Sequence, residues 1–122
     1  MENRYLYRAK RLDNGEWEQG YLYGIWGRKY ILWGMTNDIP DMVEVDPSTI
    51  CQCTGLKDKN GKLIWENDIV KDNVIYGIVK WDDANARYFI DDRDDGYQDY
   101  SEWWHEIEVI GSAFDNPELL EV

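Results

Sequence analysis

The chain has 122 residues, a net charge of −12 and 43% hydrophobic content, enough to close one core without disulfides or a structural metal, so residues 1–122 are expected to form a single domain. The acidic balance argues against direct binding of nucleic acid, which needs a basic patch to neutralise phosphates. No apolar run approaches the roughly 18 residues that span a bilayer, and Met1-Glu-Asn-Arg-Tyr5 lacks the pattern of a secretory leader, so a soluble, cytoplasmic protein with no membrane partner is expected.

Aromatic residues make up 15% of the chain and fall in short runs alternating with charged residues, the habit of strands. "RYLYRAKRL" (4–12) sets Tyr5, Tyr7 and Ala9 on one face and Arg4, Leu6 and Arg8 on the other. Asp13-Asn14-Gly15 supplies the positive-φ residues of a tight hairpin, and "EWEQGYLYG" (16–24) returns. A second reversal at Gly24-Ile25-Trp26-Gly27 leads into "RKYILWG" (28–34), giving a meander of three strands. "MTNDIPDM" reads as a polar connection, with Pro40 blocking ladder hydrogen bonds. "MVEV" (42–45) is a short strand stopped by Asp46-Pro47-Ser48-Thr49, a capping residue and proline that start a turn or one helical turn.

"TICQCTGLKD" (49–58) extends again and places Cys51 and Cys53 on one face. A disulfide across one residue would be strained. Structural zinc wants four ligands, and His105 is the only histidine, so two reduced, partly buried thiols are expected. A turn at Lys59-Asn60-Gly61-Lys62 precedes "KLIWENDIVK". "VIYGIVKWDD" (74–83) and "RYFIDD" (87–92) then form a hairpin about Ala84-Asn85-Ala86. "GYQDYSEWWHE" reads either as strand or as a single helical turn begun by Ser101, and "IEVIGSAF" (107–114) as strand. Asp115-Asn116-Pro117-Glu118 is expected to cap a short C-terminal helix carrying Leu119 and Leu120. Short strands with turn signals every eight to twelve residues predict a mainly β fold, a barrel or sandwich of antiparallel strands.

"TGLKDKNGKLIWENDIV", then "GIVKW" and "IEVIGSAFDNPELL", closely resembles the YopX family of small bacteriophage and prophage proteins. "YRAKRLDNGEWEQGYL" and "VDPSTI" match its pattern in order. The resemblance covers essentially the whole chain and implies an SH3-like β-barrel, a phage or prophage origin and a tendency to self-associate. It implies no reaction, catalytic residue or cofactor. The chain departs from the pattern at Asn67, where the family commonly has glycine.

Glu66 and Asp68 can be read as paired carboxylates for general acid and base work, which requires both to face one cavity. They can also be read as the flanks of a structural turn at Asn67, between Glu66 and Asp68, separate from the earlier turn that holds Gly61. Glycine and asparagine are the residues that best tolerate left-handed backbone, so Asn67 marks a turn and Asp68 is expected to accept backbone N–H bonds there. In "DDRDDGYQDYSE", Asp91, Asp95, Gly96, Asp99 and Glu102 fit positions one, five, six, nine and twelve of a calcium loop. Arg93 stands where the third ligand belongs, and the flanks read as strand. Trp26, Trp33, Trp103 and Trp104 are candidates for a core or a subunit interface. A nucleic-acid stacking platform would need a basic groove, and here Glu102 and Glu106 are the neighbours. His105 is read as a surface or interface residue. No phosphate loop, nucleophile elbow or metal quartet is present, so no catalytic residue, cofactor or metal is assigned.

Charge is unevenly distributed: residues 1–30 carry +2, residues 31–80 carry −3 and residues 81–122 carry −11. A mildly basic beginning and an acidic end can meet between copies, or the acids can form a solvated face. The expected function is a non-enzymatic accessory protein that forms a homo-oligomer and docks on a host or phage protein. Two alternatives are an acidic mimic of DNA that blocks a host nucleic-acid-binding protein, and a divalent-metal enzyme using Glu66, Asp68 and the Asp91–Asp95 cluster.

Overall fold

The computed structural model describes residues 5–99 and 101–120, Ser101 by its backbone alone. Arg4, the start of the first predicted strand, and Tyr100, within the ambiguous "GYQDYSEWWHE" stretch, lie outside the described residues. The sequence reading takes the chain as one domain; the fold divides into two compact units, residues 1–53 and 54–122, each built around its own buried cluster.

The first unit holds β1 (Tyr7–Lys10), β2 (Trp17–Ile25), β3 (Arg28–Thr36), β4 (Ile39–Val45) and the start of β5 (Cys51–Lys57), in the spatial order β4-β3-β2-β1-β5. Positive-φ residues make its reversals tight: Gly15 (φ 73°), Trp26 and Gly27 (53° and 77°), and Asn37 and Asp38 (51° and 63°). The last pair corrects the expected polar loop. Asn37 and Asp38 both take left-handed backbone, the signature of a two-residue hairpin, and Thr36 pairs with Ile39 across it. Pro40 therefore sits inside β4 opposite Met35. The strand tolerates it because β4 ends the sheet order, where a missing N–H breaks no second ladder.

Alternation directs Tyr7 and Ala9 inward, where Ala9, Ile31 and Val45 are fully buried with Tyr7, Leu22, Val43 and Ile50 packed around them. Gly20 allows that layer to close: a Cβ there would stand 2.4 Å from the Leu32 carbonyl oxygen. Asp46 N donates to Lys10 O at 2.8 Å, Leu12 N donates to Glu44 O at 3.1 Å, and Arg11 bridges Val45. These contacts curl β4 back toward the end of β1, by one isolated bridge and not by a continuous ladder. Asp46 caps the 3-10 turn Pro47–Thr49 by accepting from Ser48 N at 3.0 Å. Cys51 and Cys53 take part in no disulfide and are fully buried.

In the second unit the end of β5 turns into β6 (Leu63–Trp65). There follow β7 (Asp68–Lys71), β8 (Tyr76–Asp82), β9 (Arg87–Asp92), β10 (Gly96–Gln98), a 3-10 turn Ser101–Glu106, β11 (Glu108–Ser112) and a last 3-10 turn Pro117–Leu120. Five of these strands form an antiparallel sheet in the order β10-β9-β8-β7-β11. β7 lies between β8 and β11, and Ile69 and Val70, on opposite faces of the strand, are both fully buried. Ile64, Val70, Val79, Ile90, Trp104, Ile107 and Val109 make the core; each large aliphatic there contributes roughly 1.5–3 kcal/mol of burial.

Two expectations are corrected. Closure into a barrel is absent among the described pairings, because β10 and β11 end this sheet without pairing to each other. The expected C-terminal helix is a single 3-10 turn, Pro117–Leu120. Tyr76 Oη donates to Leu119 O at 2.6 Å and holds that turn. Among the described residues no helix is long and apolar enough to cross a membrane.

Candidate functional site

The stretch 54–71 builds its shape from two buried carboxylates. Asp58, 4% exposed, heads the turn after β5. Its Oδ1 accepts from Asn60 N and Lys62 N, both at 2.9 Å, and its Oδ2 from Val109 N of β11 at 3.0 Å. Burial is the largest single influence on its ionisation and disfavours the charge. The N–H donors of Val109, Lys62 and Asn60, with the Lys62 charge, together outweigh burial and hold the carboxyl below its ordinary value. Asp58 was not a candidate in the sequence. The available signal was its position heading an Asp-Lys-Asn-Gly turn, where an aspartate bonds backbone two residues on.

Asn67 has φ 70°. Its N–H donates to Val79 O at 2.8 Å and its carbonyl accepts from Ala113 N at 2.9 Å, so a single left-handed residue ties the β6–β7 corner to two further segments. Asp68, 1% exposed, accepts from Trp65 N at 2.8 Å, whereas Glu66 is half-buried on the turn. Gly61 (φ 78°) completes the earlier turn. This arrangement commits the Asp68 carboxylate to backbone and leaves it inaccessible to a substrate.

The acidic stretch is dispersed. Asp91 pairs with Lys80 at 3.7 Å and Asp99 with Arg87 at 2.7 Å, while Asp95 and Glu102 are exposed. The buried carboxylate of this region is Asp92, 4% exposed, whose Oδ1 accepts from Asp94 N and Asp95 N and closes the β9–β10 turn. Arg93, in the place of a third calcium ligand, stacks its guanidinium 4.5 Å from the Tyr76 ring centre. Among the described residues no group of three His, Cys, Asp or Glu side chains is placed to hold a metal. On the neighbouring strands Asn85 Nδ2 and Tyr97 Oη donate to Asp82 Oδ2 at 2.8 and 2.7 Å. The Asn85 bond first, and then that of Tyr97, holds the Asp82 carboxyl below its usual range, while the carboxylate raises the Tyr97 phenol.

The four tryptophans part company. Trp104 is 2% exposed in the second unit's core, the first of the two alternatives read for it, and Trp103 beside it is 57% exposed. The 3-10 turn Ser101–Glu106 sends the two neighbouring indoles to different sides. Trp33 is 47% exposed, on β3 where the register with β4 shifts. Trp26 stands at the apex of the β2–β3 hairpin, 91% exposed, in a left-handed conformation that costs a non-glycine residue roughly 1–2 kcal/mol. His105 is exposed beside Glu106 at 3.8 Å.

A cavity of about 320 Å³ opens beside the 3-10 turn of the second unit. Ile75, Ile90, Trp104 and Ile107 make its apolar floor, Trp103 a wall, and the carboxylates of Asp72 and Glu106 its rim. Asp72 Oδ1 accepts from Val74 N and Ile75 N at 2.7 and 2.6 Å and fixes the loop on that side. An apolar hollow with an acidic edge suits a group that is aromatic or aliphatic in body and positively charged beside it.

The family model described as YopX protein matches residues 6–121, and a single match therefore runs through both units. No curated protein matches the chain.

Proposed function

Since the chain belongs to the YopX family, we infer that it is a phage- or prophage-encoded accessory protein of the bacterial cytoplasm that assembles with itself and docks on another protein without catalysing a reaction. The observation that carries this reading is Trp26, whose side chain is left 91% in solvent on a left-handed hairpin apex. An indole buries roughly 150–250 Å² when covered, and tryptophan is enriched where proteins bind one another. The charge difference between residues 1–30 and residues 81–122, +2 against −11, supports contact between unlike ends of two copies. The SH3-like class belongs with this proposal, supported by the antiparallel run of short strands around one core in the second unit. Light scattering across a concentration series tests the reading. The expected result is a mass that rises above 14.5 kDa and falls again with added salt; a monomer at every concentration refutes it.

A second reading, acidic mimicry of DNA, is favoured by the −11 charge of residues 81–122. Capture of a host protein that competing DNA displaces would support it, and capture indifferent to DNA would count against it. The divalent-metal enzyme reading ranks third. Of the carboxylates it would use, Asp68 accepts a backbone bond from Trp65 N and Asp91 pairs with Lys80.

A further inference from the structure

We propose that the hairpin apex Trp26–Gly27–Arg28 of one copy seats in the Trp103 cavity of a second copy, indole on the apolar floor and guanidinium against the acidic rim. The contact rests on the self-assembly reading above and names the surfaces that make it.

Three observations fit knob to hole. The apex is built to project: Trp26 and Gly27 have φ 53° and 77°, so both central residues of the turn are left-handed and the strands behind them stay paired up to Ile25 and Arg28. Asparagine, aspartate or glycine would hold this turn with less strain, so a tryptophan there is kept for what its ring touches. The hole has the matching size and surface. Its volume of about 320 Å³ lies at the small end of the roughly 300–1,000 Å³ range of ligand pockets, suited to one aromatic side chain. Ile90, Ile107 and Trp104 close its base at 0%, 1% and 2% exposure, and Trp103, 57% exposed, is the indole it presents to a guest.

Charge then fixes orientation. Arg28, exposed two residues beyond Trp26, is the cation that travels with the ring. Asp72 and Glu106 are the exposed anions at the cavity edge. Only one oxygen of Asp72 is taken by the loop N–H groups of Val74 and Ile75, which leaves Oδ2 for a guanidinium. A tryptophan in an apolar pocket with an arginine on its polar rim is the composition that carries binding energy at protein interfaces. Each copy carries one knob in its first unit and one hole in its second, so the contact closes as a reciprocal two-fold dimer, closes as a larger ring or grows as a chain of copies.

The test uses the full chain and four variants: Trp26→Gly, Arg28→Glu, Glu106→Arg, and the double variant Arg28→Glu with Glu106→Arg. Sedimentation reads the assembly and thermal melting reads the fold. Glycine suits the apex backbone, so Trp26→Gly should melt no lower than wild type while its association weakens by roughly 30-fold or more. Arg28→Glu and Glu106→Arg should each weaken association, and the double variant should regain it. Mixing Trp26→Gly, which keeps the hole, with Glu106→Arg, which keeps the knob, should restore a mixed complex. If wild type assembles and Trp26→Gly assembles equally well, another segment makes the contact: this proposal falls and self-assembly stands. If wild type is monomeric at every concentration, the self-assembly reading falls and takes this contact with it. Failure of both the charge exchange and the mixing to restore association also overturns the pairing.

Discussion

Replacing Asp58 by alanine removes one carboxylate and strips three backbone donors of their acceptor. Val109 N, on a buried residue, loses a bond of 3.0 Å, and Asn60 N and Lys62 N lose bonds of 2.9 Å at a turn near the surface. A buried donor left without a partner costs about 1–3 kcal/mol. Water reaches the two turn donors, so they cost about 0.5–1 kcal/mol each. The expected loss is about 2–5 kcal/mol, a large part of the roughly 5–15 kcal/mol that holds a domain folded. Urea unfolding at pH 7 followed by circular dichroism measures it as a lower midpoint at unchanged slope. Asp58→Asn keeps one acceptor oxygen and should fall between wild type and alanine.

The pH dependence has a defined sign. The folded carboxyl titrates below its ordinary value, so its stabilisation is complete above the unfolded value near 3.9 and disappears as pH falls through the folded one. The advantage of wild type over Asp58→Asn should therefore hold from pH 7 to about 4 and shrink below that. A loss under about 1 kcal/mol for Asp58→Ala, or an advantage that does not change into acid, would refute the assignment of this carboxylate as a charged clamp.

Asn67→Gly should be neutral or slightly stabilising at φ 70°, and Asn67→Ala should cost about 1 kcal/mol, read by thermal melting. Gly77→Ala would place a Cβ 2.3 Å from the Asp91 carbonyl oxygen. Because that neighbour is backbone, a loss of about 2 kcal/mol or more is expected, and a melting point equal to wild type would contradict the close approach of β8 and β9. Calorimetry with calcium at near-physiological salt should give no binding heat from Asp91, Asp95, Asp99 and Glu102. Heat abolished by Asp95→Asn would show that these side chains gather on the ion.

The calcium-loop spacing illustrates a limit of reading sites from a linear pattern. It is satisfied at Asp91, Asp95, Gly96, Asp99 and Glu102, yet the backbone there runs through a strand, a three-residue turn and another strand, and extended segments carry the carboxylates apart. Spacing implies convergence only when the backbone between the ligands curls around them.

The sequence by itself determined the features that are local to the chain. The alternating runs place Tyr7 and Ala9 on the buried side of β1 and pair "VIYGIVKWDD" with "RYFIDD" across one turn, because strand period and turn chemistry involve only near neighbours. Asn67 could be assigned left-handed backbone because few residue types tolerate it, and five ordered segments identified the family. Tertiary structure decided the rest. Pro40 enters a strand because β4 lies at an edge, and edges are properties of a sheet. Trp103 and Trp104 differ by one position in sequence and by 57% against 2% in exposure, which depends on what packs against the turn. Asp58 becomes a clamp only because Val109, 51 residues away, brings its N–H to the carboxylate. Burial and long-range hydrogen bonding are set by the meeting of distant segments, and no short stretch of sequence contains both partners.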